Sequence, residues 1–184
     1  MWEDVAASMA DEFHVILVDG PGHGASGPLE KPVAMVDFAR AAFQVLDAVG
    51  EKSAIFAGCS WGGVVSLEAA LDNPARVAGL AVLNSTAGGF TRDQKNFFKG
   101  VADQIRADGF TDAVLDIVVP MNFGKTTLET RPDFVDAFRQ TIKGARKNSI
   151  ANTIVSVLAG PQDYTLRFEE LDVPTLFLWG AEDH

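Results

Sequence analysis

The stretch "AIFAGCSWGGVVSLEAAL", residues 54–71, decides the fold. An apolar run ends at Gly58, small residues surround a single serine, Ser60, and a helical pattern starts immediately afterwards. A short apolar run closed by glycine reads as a strand covered on both faces, and the residues after it carry helical periodicity. The pattern predicts a strand, a sharp turn and a helix, with Ser60 at the bend.

Working outward from that run ("SAIFAG", 53–58), "FHVILVDG" (13–20), "VAGLAVLN" (77–84) and "PTLFLWG" (174–180) are further short apolar runs that end in Gly, Asp or Asn. Helical patterns alternate with them over 2–11, 34–49 and 62–73. In the second of these, Val36, Ala39, Phe43, Leu46 and Val49 are expected on one face, and Asn73-Pro74 closes the third. Alternation of this kind predicts an α/β core with a mostly parallel sheet and flanking helices over residues 1–87. From 88 to 168 the strand signal gives way to amphipathic helices expected at 91–108, 110–119, 132–146 and 149–159, with breaks at Gly109, Pro120, "NFGK" and Asn148. Such a block, placed before the strand at 174–180, reads as a helical cap. Residues 169–184 then return to the core.

Bulk properties narrow the chemistry. At 184 residues, 47% of them hydrophobic, the chain can bury a real core. No apolar run nears the roughly 18–20 residues of a membrane span, and "MWEDVAASMADEF" lacks the layout of a signal peptide, so a cytoplasmic protein without membrane contact is expected. One cysteine, Cys59, excludes an internal disulfide framework and a thiol cluster for zinc. The formal charge of −10 argues against nucleic-acid binding. Neither a metal nor a cofactor is expected.

Residues 58–62, Gly-Cys-Ser-Trp-Gly, fit G-x-S-x-G in the strand-to-helix setting that gives the motif its meaning. Gly58 and Gly62 are expected to let neighbouring backbone pass close, and the turn lifts the Ser60 hydroxyl to a helix N-terminus. There the Trp61 backbone N–H points where an oxyanion would form. Cys59 precedes the apex and is expected to face the core.

With these features the chain resembles the α/β-hydrolase superfamily of serine hydrolases. "VILVDGPGHGAS" is similar to the family's D-x-P-G-x-G-x-S strand and turn, and "GCSWGG" to its nucleophile elbow. "NPARVAGLAVLNS" is similar to the next helix end and strand, and "VPTLFLWGAED" to the late strand ending in G-x-x-D. The resemblance implies that Ser60 is the nucleophile, Asp183 the triad acid and Trp61 one oxyanion donor. Asn84 stands where some members place the acid, but an amide offers no charge to stabilise an imidazolium.

The base is the difficulty. The sequence holds His14, His23 and His184 alone, and the family's order is serine, acid, then histidine. His14 and His23 precede Ser60, and His184 directly follows Asp183, too close to sit between that carboxylate and Ser60. The resemblance therefore implies an internal fragment, lacking the N-terminal strands and the C-terminal catalytic histidine. It also implies a strand position between 13–19 and 53–58 that these residues do not fill, leaving those two segments roughly 9–10 Å apart where paired strands lie about 4.8 Å apart. Open apolar edges are then expected to favour aggregation.

The activity implied is hydrolysis of a small carboxylic ester or lactone through an acyl-enzyme, with Trp61, Phe90, Met121, Phe123 and Trp179 lining a pocket beneath the cap. Related chemistries stay open: proline iminopeptidase, carbon–carbon bond hydrolase, haloperoxidase-like enzyme, or a non-catalytic binding protein or fragment.

Overall fold

In a computed structural model, residues 2–160 and 163–183 are described. Three parallel strands, β1 (Ala54–Cys59), β2 (Val77–Leu83) and β3 (Thr175–Leu178), form one sheet in the order β1-β2-β3. Register places Cys59 opposite Leu83 and Leu83 opposite Leu178, so all three strands end level. The segments that follow them leave the sheet together at its carboxyl edge, where ligands bind in parallel sheets.

Helix α1 (Glu3–Met9) buries none of its residues. Helix α2 (Met35–Val49) turns Met35, Phe38, Ala39, Phe43 and Leu46 inward, a 3.6-residue stripe. The expected stripe was one step off at its ends: Val49 is exposed and Val36 only half-buried. Helix α3 (Trp61–Asp72) joins β1 to β2 and contributes fully buried Leu67 and Ala69 to a core shared with Phe43, Leu46, Leu80 and Val82. Burial of a Leu or Phe side chain stabilises by about 1.5–3 kcal/mol. The helix that carries Ser60 at its start is thus fixed by its far side.

Between β2 and β3 come α4 (Arg92–Asp108), α5 (Asp112–Val118), α6 (Lys125–Thr130), α7 (Pro132–Lys143) and α8 (Lys147–Val157). Thr91 and Gln94 exchange hydrogen bonds in a capping box that starts α4, and Gly109 with φ 76° ends it. Helix α8 packs on α4 through Ala151 with Val101, Ala102 and Ile105. Its polar face is buried too: Ser149 Oγ and Ser156 Oγ accept the N–H groups of Leu29 and Val33, and Asn152 Nδ2 donates to Leu29 O at 2.8 Å. Those side chains satisfy a backbone stretch, 29–33, that has no ladder of its own.

Two further expectations are corrected. Residues 13–20 join no ladder, although their composition is that of a strand. A strand is defined by its partners, and residues 14–18 make no backbone hydrogen bond to any described residue. Accordingly β1 pairs with β2 alone, and no direct bonding links it to 13–20. Ile55 and Leu176 are more than half exposed, so apolar side chains stand open along the sheet. The second correction is α6, which falls where a break was expected. Its sequence, KTTLET, is half threonine, and β-branched residues favour helix weakly. Among the described residues no helix is long and apolar enough to cross a membrane.

Candidate active site

Ser60 sits between β1 and α3 with φ 52° and ψ −117°, backbone angles that residues with a side chain rarely adopt. Four bonds hold it there. Its N–H donates to Leu83 O at 2.8 Å, its carbonyl accepts from Gly63 N–H at 3.0 Å and Val64 N–H at 3.2 Å, and the Ser85 hydroxyl donates to the same carbonyl. The Trp61 and Gly62 N–H groups, in the first turn, bond no described residue, as helix geometry requires of leading donors. They form a positive helix end beside an exposed hydroxyl.

The glycines sort differently from the motif. A Cβ on Gly58 would run into the backbone of Gly62 and Gly63, so the close approach expected there is present. A Cβ on Gly62 would meet nothing within 4 Å beyond its chain neighbours and its own helix backbone, which corrects the expectation for that residue. The second tight position is Gly63, where a Cβ would strike the Ser85 side chain. Sequence alone could not separate the two halves of "GG", because the neighbour arrives from 22 residues downstream. Gly58→Ala is expected to cost about 1–3 kcal/mol or more through overpacking. Gly62→Ala is expected to be neutral or to stabilise by up to about 1 kcal/mol, since alanine favours helix. Denaturant midpoints of the two variants check the contrast.

Trp61 does not open into a pocket. Its indole stacks on His23, ring centroids 4.4 Å apart, meets Phe38 edge-on at 5.2 Å, and fills the space a side chain on Gly20 would need. The turn bearing His23 is closed by Asp19, whose carboxylate accepts from Ala25 N–H at 2.9 Å, and Arg146 at the start of α8 donates to Gly24 O and Ser26 O. His23 Nδ1 lies 3.1 Å from Pro21 O. Burial holds the His23 imidazole below its ordinary value near 6.5 and Arg146 adds to that, while the Pro21 carbonyl and Asp19 oppose it. Below about pH 6.5 the unfolded chain therefore binds more protons here than the fold does. Stability is expected to fall as pH drops from that value toward the lowered folded one, and to be indifferent to His23 above it. Melting temperatures of wild type and His23→Gln between about pH 7.5 and about pH 5.5 test this, the variant showing the shallower decline.

The acid candidate, Asp183, lies in an exposed turn just past β3, its N–H bonded to Gly180 O at 3.1 Å. Asn84, the residue after β2, anchors that turn: its side-chain oxygen accepts from Gly180 N–H at 3.0 Å and its own N–H donates to Leu178 O at 2.8 Å. Asn84 adopts φ 44°, a left-handed geometry that asparagine tolerates. Three consecutive residues thus register the two sides of the site, with Leu83 and Ser85 on Ser60 and Asn84 on the Asp183 turn. Asn84 cannot serve as the acid, yet it holds the candidate acid's turn in place. Its fitness for a left-handed strand end was the signal for this other role.

Cys59 is half-buried rather than enclosed, and burial, followed by the nearby Asp183 carboxylate, pushes its thiol up, which keeps it protonated. His14 is exposed and pairs with Glu51 at 3.0 Å. His184 lies outside the described residues. The remaining apolar candidates disperse: Phe90 packs on Phe98, Phe123 on Phe134 and Phe138, while Met121 and Trp179 are exposed. A cleft of about 460 Å³ instead opens between the starts of α2 and the end of α8, lined by Met35, Glu68 and Tyr164 among others. Tyr164 donates there to Glu68 at 2.7 Å.

Comparison with known proteins agrees with this architecture. The family model described as "alpha/beta hydrolase fold" matches residues 1–184. The chain is 25% identical to 3-oxoadipate enol-lactonase 1 of Acinetobacter baylyi over all of its own length and 66% of that protein's. It is 38% identical to a putative carbamate hydrolase of Azorhizobium caulinodans over 93 residues, 50% of this chain and 35% of that one. A thermophilic esterase from Thermogutta terrifontis superposes with a TM-score of 0.90 at 25% identity, covering 99% of this chain and 68% of the esterase. The chain therefore spans less than two thirds of the length of those two curated relatives.

Proposed function

The chain belongs to the alpha/beta hydrolase fold family, and from that premise we propose that the protein is a serine hydrolase acting on a small carboxylic ester or lactone. The observation that carries this reading is the backbone of Ser60, held at φ 52° and ψ −117° by bonds to the end of β2 and to the first turn of α3. Strain maintained by surrounding structure at one exposed hydroxyl marks a working residue.

In the proposed reaction the Ser60 hydroxyl attacks the substrate carbonyl and gives its proton to a histidine. The Trp61 N–H and a second donor hold the oxyanion. The histidine returns the proton to the leaving alkoxide, and an acyl-Ser60 ester remains. Water, deprotonated by the same histidine, attacks that ester; the acyl–oxygen bond breaks, the histidine returns the proton to Ser60 Oγ, and the acid is released. Asp183 orients the histidine and stabilises its cationic form. We assign the base to a histidine outside residues 1–184, because His23 is engaged with Pro21 and Trp61, His14 is engaged with Glu51, and His184 directly follows the proposed acid in sequence.

The helical block 88–168 is proposed to cap the carboxyl edge of the sheet. A second reading, carbamate hydrolysis at the same serine, draws support from the 38% identity to the carbamate hydrolase. Rapid mixing of the full-length protein with p-nitrophenyl acetate tests the acyl-enzyme: a burst of nitrophenolate equal to the protein concentration is expected. Release from a carbamate substrate faster than from the acetate would favour the second reading, and p-nitrophenyl acetate turnover that leaves no acyl group on Ser60 would contradict both.

A further inference from the structure

Glu182 precedes the proposed acid directly, and its side chain leaves the core to grip the helical block. One carboxylate oxygen accepts from the Thr126 N–H at 2.8 Å and the other from the Thr126 hydroxyl. Both partners lie in the first turn of α6, 56 residues away in sequence. Gly124, the residue before that helix, is packed so tightly on Glu182 that any Cβ there would strike it. The helix concerned is six residues long and half threonine, so the carboxylate that bonds the donors of its first turn supplies what threonine-rich local propensity does not. The same turn is tied on its other side to β2, through Gly180 and Asn84.

We propose that Glu182 is a positioning residue that latches α6 to the Asp183 turn, so that the seating of the helical block and the aim of the acid are set together. The inference rests on Asp183 being the acid of the proposed function. A block that lifts away loses substrate contacts, and the turn it releases keeps its Asn84 anchor but loses its hold on α6. Substrate binding and the chemical step should both suffer, with the larger change in KM.

The test compares Glu182→Ala, Glu182→Gln, Thr126→Val and the Glu182→Ala/Thr126→Val double variant of the full-length protein. For p-nitrophenyl butyrate, Glu182→Ala is expected to lower kcat/KM about fivefold or more, chiefly through KM. Glu182→Gln should recover most of the loss, because its amide oxygen still accepts from Thr126 N–H. The double variant should be no worse than Glu182→Ala, the non-additivity of a shared interaction. Hydrogen exchange over residues 125–130 should quicken in Glu182→Ala. Unchanged kcat/KM and unchanged exchange in Glu182→Ala would overturn the latch. Should Ser60→Ala keep full activity, the proposed function fails instead, and exchange over 125–130 then decides the latch alone.

Discussion

Ser60→Ala is expected to reduce ester hydrolysis by the full-length protein by about 10⁴-fold or more in kcat, while its folding stability stays within about 0.5 kcal/mol of wild type. The two halves of this expectation come from different features. The hydroxyl makes no hydrogen bond to a described residue that stability would miss, and the backbone bonds to Leu83, Gly63, Val64 and Ser85 survive the change. What disappears is the only atom that forms a bond to substrate in the proposed mechanism. Ser60→Gly separates strain from chemistry further: glycine accepts φ 52° and ψ −117° freely, so that variant should be equally inactive and about 1 kcal/mol more stable. Kinetics with p-nitrophenyl acetate and denaturant melts of the three proteins check both. A Ser60→Gly protein less stable than wild type would show that the elbow stores no strain.

Asp183→Asn is expected to cost about 10³–10⁴-fold in kcat with KM changed little, since the amide keeps the shape of the turn and removes the charge that favours an imidazolium. The turn itself should persist, because Gly180 binds Asn84 and Glu182 binds Thr126 without help from the Asp183 carboxylate. Removal of that carboxylate also removes one of the two influences that raise the Cys59 thiol. The pH at which a thiol reagent modifies Cys59 should therefore move down in the variant, a readout independent of catalysis. A loss of activity smaller than about tenfold would mean that another acid serves the histidine.

The elbow was legible in the sequence because its signals are local. Glycine at 58, serine at 60 and helical periodicity from 61 all act within a few residues of one another. The same holds for α4, whose Thr91–Gln94 box and Gly109 stop are written in the chain. Where the reading failed, the deciding partner lay far away. Residues 13–20 have strand composition, but ladders need a neighbour and these residues find none among the described ones. Helix α6 depends on a carboxylate 56 residues downstream. Gly63 rather than Gly62 carries the second tight contact because Ser85 arrives against it. Trp61, expected to face substrate, is spent on His23 and Phe38, a packing that only the folded turn at 19–27 could reveal.

The placement of Asn84 carries the same lesson for function. As an isolated letter it is a poor acid and a modest turn former. Between Leu83 and Ser85 at the level end of three strands, it binds the Asp183 turn while its neighbours bind Ser60, and the two proposed catalytic groups share one reference frame. Preorganisation of this kind is what a site with covalent chemistry requires.

The central claim, that Ser60 is the nucleophile, is tested most directly by exposing the full-length protein to a fluorophosphonate and mapping the modified peptide by mass. One adduct per chain, on Ser60 and absent from Ser60→Ala, is the predicted result. An adduct on Cys59 or elsewhere, or labelling that persists in Ser60→Ala, would contradict it.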